Sequence, residues 1–289
     1  MTNSTAKCID GKAISLKIRE EISNQVRTFK NSNIIPGLAA ILVGENSASK
    51  VYVKNKRKAC QETGIYFEEY NLPTDTNQTQ LYSLIDKLNI DKKINGILVQ
   101  LPLPKHLHEQ YVTSRVSEHK DVDAFCPSNA GLIMQGIQKF SPCTPAGVME
   151  LLKYENIKVS GKRSVIIGRS NIVGKPMAML LLHGDSTVTI CHRKTKNLKE
   201  ICLESDIVIC AVGKAGLITG EMIKNGAVVV DIGINKDSNG KLVGDVLFEE
   251  VSKKASYITP VPGGVGPMTV TMLLKNTLIA TRLQNSHIL

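Results

Sequence analysis

The sequence predicts an α/β protein with parallel sheets, and three observations point to this fold class. Segments with helical spacing of apolar residues alternate along the chain with short apolar runs typical of strands. Several of these runs are continuous and rich in β-branched residues, as expected for strands that are covered on both faces. Helical segments lie between them, and parallel strands need such crossovers. A length of 289 residues fits one large or two modest domains.

The first half of the chain begins with isoleucine and valine at helical spacing from Ile14 to Val26. The further elements predicted there are a buried strand at 38–43, helices at 46–63 and 81–88, and a strand at 96–100. The helix at 46–63 should end at Gly64, because glycine is common just past a helix C-terminus. The last strand should stop before Pro102, since proline cannot donate to a sheet ladder.

The second half repeats the alternation. Thr144-Pro145 predicts an N-cap followed by proline in the first turn of a helix that runs through Leu152. The tail after Met268 is also expected to be helical. The strands predicted in this half are 164–167, 187–191, 207–211 and 227–231.

Composition excludes several classes of protein. The net charge of +10 would suit a nucleic-acid-binding protein, but aromatic residues make up only 4% and no nucleic-acid-binding motif is present. A solvated basic surface with pockets for anionic small molecules is the favoured interpretation. No apolar run approaches the ~20 residues that span a bilayer, and the polar N-terminal segment does not resemble a secretory signal. We expect a cytoplasmic protein without nucleic-acid or membrane partners.

The cysteines and histidines indicate neither disulfides nor a metal. The seven cysteines contain no C-x-x-C pair, which favours reduced thiols that pack in the core. The six histidines show no ligand spacing such as H-E-x-x-H. We therefore expect no metal site.

A glycine-rich turn follows the strand predicted at 164–167. It runs from Gly168 to Gly174-Lys-Pro176 and leads into an apolar helix. Between a strand and a helix, such a turn presents bare amides and the positive helix end to a pyrophosphate. The spacing is G-x-S-x-x-x-G rather than G-x-G-x-x-G, so an ordinary tight turn is the alternative. The strand–turn–helix context favours a dinucleotide site.

The next predicted strand indicates which dinucleotide binds. NAD sites usually carry an acidic residue near the end of this strand, which binds the ribose hydroxyls. Here the strand is followed by His192-Arg193-Lys194-Thr195. These cationic and hydroxyl groups suit a 2′-phosphate and predict NADP. A solvated basic turn is the alternative.

A second candidate site lies on the helix predicted at 46–63. Ser49, Tyr52 and Lys56 fall on one face, whereas Lys54 and Lys58 point elsewhere and are expected to be solvated. Tyr52 could stack on an aromatic ligand, and Lys56 could act as a base if desolvation lowered its pKa. By itself the pattern also fits an ordinary lysine-rich helix.

The ordered motifs of the chain settle between these alternatives, because the sequence resembles the bifunctional methylenetetrahydrofolate dehydrogenase/cyclohydrolase family over essentially its whole length. The motifs that carry the resemblance are Val43-Gly44 with Ser47-x-Ser49-x-x-Tyr52-x-x-x-Lys56, Gly96-Ile-Leu-Val-Gln100-Leu-Pro-Leu-Pro104, Lys120-Asp121-Val-Asp123, Cys143-Thr144-Pro145-x-Gly147, Gly168-Arg-Ser-x-x-Val-Gly174-x-Pro176, Asp231-Ile-Gly233, Gly244-Asp245-Val246 and Thr259-Pro-Val-Pro262-Gly-Gly-Val-Gly-Pro267-Met-Thr269.

The resemblance implies two α/β domains with the active site in a cleft between them. The folate domain would comprise 1–142 plus 270–289, and the Rossmann-type NADP domain 143–269. The implied enzyme oxidises 5,10-methylenetetrahydrofolate to the methenyl compound and hydrolyses that to 10-formyltetrahydrofolate. Family members are usually homodimers that associate through their nucleotide domains.

The resemblance also implies roles for single residues. Lys56 would be the central catalytic residue, essential to hydrolysis and aided by Gln100. Tyr52 would stack along the folate, and Asp123 would anchor the pterin through its N–H donors. The residues expected to bind substrate are Ser49, Tyr52, Gln100, Leu101, Asp123, Pro262, Gly263 and Gly264. Those expected to bind the cofactor are Thr144, Gly168, Arg169, Ser170, Val173, Gly174, Pro176, His192, Arg193, Ala211, Val212, Gly213, Asp231, Gly233 and Ile234.

Three points stay open at this level. Members of the family commonly have serine at the position of Arg193. Arginine there should reinforce binding of the 2′-phosphate together with Arg169, but the resemblance does not define its contacts. A monofunctional NAD-dependent methylenetetrahydrofolate dehydrogenase would share the fold, although the basic turn at Arg193, together with Lys56 and Gln100, argues against it. A non-enzymatic nucleic-acid-binding protein would explain only the charge.

Overall fold

The computed structural model describes residues 6–286, and these form two compact units. Residues 6–15 and Thr144–Thr269 make up one unit, which contains the glycine-rich turn, and we call it the nucleotide unit. Leu16–Cys143 together with residues 270–286 make up the other, which contains Lys56 and which we call the folate unit. Among residues 6–286, no helix has both the length and the apolar character needed to cross a membrane.

The strands are β1 (Lys7–Cys8), β2 (Gly37–Val43), β3 (Tyr66–Leu72), β4 (Gly96–Val99), β5 (Arg163–Ile167), β6 (Thr187–Cys191), β7 (Ile207–Cys210), β8 (Val228–Asp231), β9 (Asn235–Lys236), β10 (Leu242–Val243) and β11 (Tyr257–Ile258). The helices are α1 (Gly11–Asn31), α2 (Ser47–Thr63), α3 (Gln78–Ile90), α4 (Glu109–Arg115), α5 (Pro127–Gln135), α6 (Cys143–Tyr154), α7 (Gly174–His183), α8 (Leu198–Leu203), α9 (Phe248–Val251) and α10 (Val265–Gln284), with a 3₁₀ turn at Gly220–Met222.

The sheet of the folate unit is parallel and has the order β3-β2-β4. Every residue of β2 and β4 is buried, as the continuous apolar runs predict. Leu81, Ile85 and Leu88 of α3 belong to the same buried cluster as the side chains of these two strands. The ends of both strands are thereby fixed, and Gln100 follows β4 directly.

Helix α2 is bounded by two capping interactions that the sequence indicates. The Asn46 side chain accepts a hydrogen bond from the backbone N–H of Ser49, and Gly64 ends the helix in the left-handed conformation at φ 79°. The predicted end of this helix at Gly64 is confirmed. These caps fix the helix that carries Ser49, Tyr52 and Lys56.

The main sheet of the nucleotide unit is parallel, with the order β1-β11-β8-β7-β5-β6. The cluster around it is apolar and includes Val165 and Ile167 of β5, Val208 of β7 and Val229 of β8. From β5 the chain passes to β6 on one side and then to β7 on the other, so the strand order reverses between β5 and β7. Ligands of open α/β sheets bind at such a switch point, beside the carboxyl ends of the strands.

Candidate active site

Lys56 is the buried lysine of α2, with only 6% of its surface exposed. Its Nζ donates a hydrogen bond to Oε1 of Gln100 at 2.9 Å. Burial lowers the pKa of Lys56, because the ammonium loses hydration, and the nearby Asp123 carboxylate only partly offsets this. The lysine therefore meets the condition for a base that its sequence context leaves open.

Gln100 lies directly after β4, where its amide is oriented by a second hydrogen bond. Its Nε2 donates to the carbonyl oxygen of Leu101 at 2.6 Å, which leaves Oε1 for Lys56. The sequence does not determine whether Gln100 accepts from the lysine or donates to it, and the structure shows that it accepts. Either protonation state of Lys56 has an N–H to offer in this arrangement.

Asp123 is half-buried and shares the environment of Lys56. Burial raises the pKa of Asp123, and the charge of Lys56 and a hydrogen bond from the Cys143 thiol act against this rise. Burial also raises the pKa of the Cys143 thiol, with the Asp123 carboxylate adding to the effect. Lys56, Asp123 and Cys143 therefore form one electrostatic cluster, of which Cys143 was expected only to pack.

A buried amide holds the backbone on both sides of this cluster. Nδ2 of Asn276, on α10, donates to the carbonyl oxygens of Val122 at 2.7 Å and Ser141 at 2.9 Å. Val122 precedes Asp123 in the chain, and Ser141 lies two residues before Cys143. Asn276 thus connects the two segments that carry the acidic and thiol groups.

The neighbouring charged residues of the Lys120–Asp123 motif have structural partners. Lys120 donates to the carbonyl oxygens of Leu88 at 2.9 Å and Asp91 at 2.7 Å, where α3 ends. Asp121 is buried and accepts hydrogen bonds from the backbone of Phe125 and Cys126 and from the side chain of Asn129. Both residues shape the segment, and Asp123 is the carboxylate left for a ligand.

The other predicted substrate residues lie in two places. Ser49 is buried and Tyr52 is half-buried on α2, and burial raises the pKa of the Tyr52 hydroxyl. In the nucleotide unit, the turn Pro262-Gly263-Gly264 is fixed by two backbone hydrogen bonds, from Lys12 to Gly263 and from Gly264 to Pro260. Gly263 has φ 111°, a conformation that favours glycine.

In the nucleotide unit, most of the predicted cofactor residues lie at or directly after the ends of four adjacent strands. Ile167 pairs with Cys191 on one side and with Cys210 on the other, and Cys210 pairs with Asp231. The first residues after these strands therefore lie side by side at the carboxyl ends of the strands. They are residues 168, 192, 211 and 232. The turn residues predicted from four separate motifs are brought together there.

The glycine-rich turn is packed too closely for side chains. Gly168 has φ 130°, and a Cβ on it would lie 2.4 Å from the carbonyl oxygen of Ala211. A Cβ on Gly174 would lie 2.3 Å from the carbonyl oxygen of Gly168. The Ser170 hydroxyl accepts hydrogen bonds from the backbone of Val173 and Gly174, at 3.1 and 3.3 Å. The turn thus forms a bare backbone cradle at the start of α7, the kind of site that binds a pyrophosphate.

Basic residues stand at the ends of β5 and β6. Arg169 and Arg193 are exposed, and within residues 6–286 neither guanidinium has a carboxylate partner. The half-buried His192 accepts a hydrogen bond at Nδ1 from the backbone of Lys194, and the Thr195 hydroxyl accepts one from the backbone of His192. The side-chain bonds of His192 and Thr195 define the turn and leave both arginines available to an anion.

Comparison with known proteins agrees with this geometry. Residues 9–123 match the family described as tetrahydrofolate dehydrogenase/cyclohydrolase, catalytic domain, and residues 142–285 match the NAD(P)-binding domain of the same family. A bifunctional protein FolD from Acetivibrio thermocellus is 57% identical, over 96% of this chain and 98% of its own length.

Solved structures show the same similarity. The bifunctional FolD methylenetetrahydrofolate dehydrogenase/cyclohydrolase of Campylobacter jejuni superposes with a TM-score of 0.95 at 50% identity, covering 96% of this chain and 99% of its own. The Trypanosoma brucei enzyme, solved with NADP and an inhibitor, gives 0.93 at 40% identity, covering 97% and 98%. The chain belongs to the tetrahydrofolate dehydrogenase/cyclohydrolase family.

Membership of the tetrahydrofolate dehydrogenase/cyclohydrolase family confirms the resemblance, the two-domain α/β fold and the dinucleotide-binding character predicted from the turn at Gly168. The roles of single residues stay predictions. In the part of the chain that the structure describes, no group of His, Cys, Asp and Glu is arranged to hold a metal ion.

The structure adds information about several predicted cofactor residues of this family member. The backbone N–H groups of Val212 and Gly213 already donate to the Asp245 carboxylate, so any cofactor contact falls to their other atoms. The Asp231 side chain is buried and accepts three backbone hydrogen bonds, one of them from Gly233. Ile234 is half exposed, at 50%.

Thr144, another predicted cofactor residue of this family member, has a different partner. Its hydroxyl lies 3.0 Å from that of Thr269. Thr144 therefore links the start of α6 to the first turns of α10.

Proposed function

We propose that this enzyme oxidises 5,10-methylenetetrahydrofolate to 5,10-methenyltetrahydrofolate with NADP⁺ and hydrolyses the methenyl compound to 10-formyltetrahydrofolate. The observation that carries the proposal is the buried Lys56, hydrogen-bonded to Gln100 and electrostatically coupled to Asp123. A lysine depleted of water next to a carboxylate suits proton transfer on a folate. Family membership supplies the two reactions, and the FolD relatives carry both in their names.

The nucleotide unit fits NADP. At Gly168 and Gly174 the backbone is packed too closely for a Cβ, which keeps the turn free of side chains where a pyrophosphate would lie. Arg169 and Arg193 stand at the neighbouring strand ends, where they would hold the 2′-phosphate through charge-assisted hydrogen bonds. Bound at this site, NADP⁺ would supply the acceptor for the hydride that leaves the C11 methylene of the folate. The Trypanosoma brucei relative solved with NADP supports this choice of cofactor.

Two side chains of the folate unit orient the substrate. Asp123 accepts from the N–H donors of the pterin, and its position is fixed by the backbone that Asn276 holds. Tyr52 stacks along the folate from the α2 face that also carries Lys56. Hydride transfer needs mainly this alignment, because the residues exchange no proton with the substrate during it.

Hydrolysis, unlike hydride transfer, requires Lys56 to act as a base. Water attacks C11 of the methenyl cation, and the neutral amine takes the proton that the water loses. The bond between N5 and C11 then breaks as N5 takes up a proton. The new hydroxyl on C11 loses its proton to become the carbonyl of the formyl group, which stays on N10. One water is consumed and one proton is released overall. Gln100 keeps the amine directed by accepting one of its N–H groups.

Features of the surface support the partners that we propose for the enzyme. Folate carries an anionic glutamate tail, with or without further glutamates, and a chain with a net charge of +10 favours such substrates.

Strand β6 is an edge strand of its sheet, with Ile190 39% exposed and Leu182 of the preceding helix 51% exposed. An apolar, unpaired edge favours a homodimer formed by nucleotide units. The seven free cysteines favour a cytoplasmic location.

The direct test is an absorbance assay with methylenetetrahydrofolate and either NADP⁺ or NAD⁺, followed by the decay of methenyltetrahydrofolate at neutral pH. We expect reduction of NADP⁺ in preference to NAD⁺, and decay faster than in buffer alone. Reduction of NAD⁺ with no acceleration of decay would identify a monofunctional NAD-dependent dehydrogenase instead.

A further inference from the structure

The motif Gly244-Asp245-Val246 has no place in the chemistry above, although its carboxylate is completely buried. Oδ2 of Asp245 accepts hydrogen bonds from the backbone N–H groups of Val212 at 2.8 Å and Gly213 at 3.1 Å. Oδ1 accepts from the backbone of Lys214 at 2.7 Å and from Nδ2 of Asn235 at 2.9 Å. A single carboxylate thus holds three successive amides after β7 and a side chain of β9.

The Asp231 carboxylate in turn accepts hydrogen bonds from the backbone of the segment that contains Asp245. This carboxylate accepts from the backbone of Gly233 at 2.9 Å, Asp245 at 3.0 Å and Val246 at 2.9 Å. Each acidic residue therefore contacts the motif of the other, and glycines make this approach feasible. A Cβ on Gly233 would lie 2.2 Å from Cγ of Asp245, and one on Gly244 would lie 1.8 Å from Oδ2 of Asp231.

The hydrogen bonds of Asp245 and Asp231 lie close to the strand ends where the cofactor is proposed to bind. Val212 to Lys214 follow β7, and β7 lies beside β5, whose end carries the Gly168 turn. Three successive backbone amides form a concavity that binds anions. Here the Asp245 carboxylate fills it, so the concavity is not available to a phosphate. The Gly168 turn, whose close-packed glycines carry no side chains, is left as the place for a pyrophosphate.

We infer that Asp245 is a positioning residue for the nicotinamide dinucleotide: it fixes the 212–214 loop and prevents the amides of that loop from competing with the Gly168 turn for phosphate. The inference rests on the proposed function, since it assumes that this edge binds NADP. The loop contacts the cofactor through atoms other than its amides. Asp245 itself touches neither substrate nor cofactor.

Asp245→Asn tests the inference in the full-length enzyme. The amide keeps the size of the carboxylate, but it loses the charge and places an N–H₂ against backbone donors. We expect hydrogen exchange of the 212–214 amides in the cofactor-free protein to be at least roughly tenfold faster. Affinity for NADP⁺ and NAD⁺ should fall equally, by roughly tenfold or more, the loss that accompanies one hydrogen bond to a charged group. Titration calorimetry measures both affinities.

Asp206→Asn is the matched control. Asp206 also accepts a backbone N–H, that of Arg163, and also belongs to the nucleotide unit, but it lies where β5 and β7 begin, at the opposite end of the strands from the cofactor residues. Its removal should leave dinucleotide affinity and exchange at 212–214 unchanged. Should Asp245→Asn fail to fold, Asn235→Ala removes one donor to the same carboxylate, and the same two readouts should change in the same direction by a smaller factor.

Two results would overturn the inference. Faster exchange with unchanged dinucleotide affinity would make Asp245 a local structural residue only. Weaker affinity with unchanged exchange would show that Asp245 does not act through the loop. Failure of the proposed function is distinguishable, because a wild-type enzyme that binds no NADP⁺ would refute that function while the exchange prediction for Asp245→Asn could still hold.

Discussion

Lys56 is the proposed base of the hydrolysis, and its environment determines the pH range in which it can act. Burial disfavours the ammonium more than the Asp123 carboxylate favours it, so the pKa of Lys56 lies below its ordinary 10.5. Only the neutral amine can take a proton from water. Hydrolysis of the methenyl compound should therefore speed up as pH rises and level off at a lower pH than an exposed lysine would give.

Asp123→Asn makes this electrostatic account testable. Because the Asp123 charge raises the pKa of Lys56, its removal should lower that pKa further, and the inflection of the hydrolysis rate should move to lower pH. The rate at saturating methenyltetrahydrofolate, corrected for decay in buffer, gives the profile. An inflection that stays in place or moves upward would contradict the coupling of the two residues.

Arg193 decides between the two dinucleotides in our account. Arg193→Ala should weaken NADP⁺ binding by about 1–3 kcal/mol, the range for a hydrogen bond to a charged group, and leave NAD⁺ nearly unaffected. Titration of the cofactor-free enzyme with each dinucleotide measures this difference. Equal losses for both would mean that Arg193 does not contact the 2′-phosphate.

The sequence predicts Lys56, Tyr52 and Ser49 on one face of a helix, because that relation depends only on local spacing. It does not predict Asn276 or Asp245, whose partners lie far away in the chain: Val122 for Asn276 and Val212 for Asp245. The motif that contains Asp245 is visible in the sequence. Its role depends on which backbone amides the fold brings to it, and spacing does not show that.

At the scale of elements, the glycine-rich turn should tolerate no side chain. Gly174→Ala would place a Cβ 2.3 Å from the carbonyl oxygen of Gly168, so the turn must move. We expect dinucleotide affinity to fall by at least about tenfold, an effect of one hydrogen bond or more lost at the phosphate. Hydrolysis of added methenyltetrahydrofolate needs no dinucleotide and should persist.

Gly131→Ala serves as the control for that substitution. Gly131 lies in α5, and a Cβ there would meet no atom within 4 Å. It should leave cofactor affinity unchanged and stabilise the helix slightly. If Gly174→Ala bound NADP⁺ as tightly as the wild type, the turn would not be the pyrophosphate site.

The elements that the sequence predicts are those with strong periodicity or clear ends. Strand β2 is a continuous apolar run, and α2 has a capping asparagine and a terminal glycine. Strand β3 is not predicted, because its sequence Tyr-Phe-Glu-Glu-Tyr-Asn-Leu is half-exposed along the edge of its sheet and shows no apolar face. Helix α8 is missed as well, since six residues are too few for a helical pattern.

At the scale of the whole molecule, the assignment of the first residues differs from the expectation drawn from the sequence. Residues 1–142 were expected in the folate domain, whereas β1 pairs in parallel with β11 of the nucleotide sheet. Two residues carry no periodicity, so only the long-range pairing reveals this strand. Residues 1–5 lie outside the described part of the chain.

The proposed homodimer is a prediction at the same scale. Ile190→Lys places a charge on the exposed edge strand β6 and should shift the enzyme towards the monomer, because the charge would lose its hydration in an interface. Sedimentation velocity over a range of concentrations measures the shift. Ile90→Lys, at an 82% exposed position of the folate unit, should leave the oligomeric state unchanged. A dimer unaffected by Ile190→Lys would have to use another surface.

The central claim is that one chain performs both reactions and that Lys56 separates them. The direct measurement is the time course of methenyltetrahydrofolate after methylenetetrahydrofolate and NADP⁺ are mixed with Lys56→Gln. As a control, Lys54→Gln removes an exposed lysine from the same helix. We predict that the methenyl compound accumulates with Lys56→Gln and stays transient with Lys54→Gln and the wild type. Decay at the wild-type rate with Lys56→Gln would remove Lys56 from the hydrolysis and contradict the account.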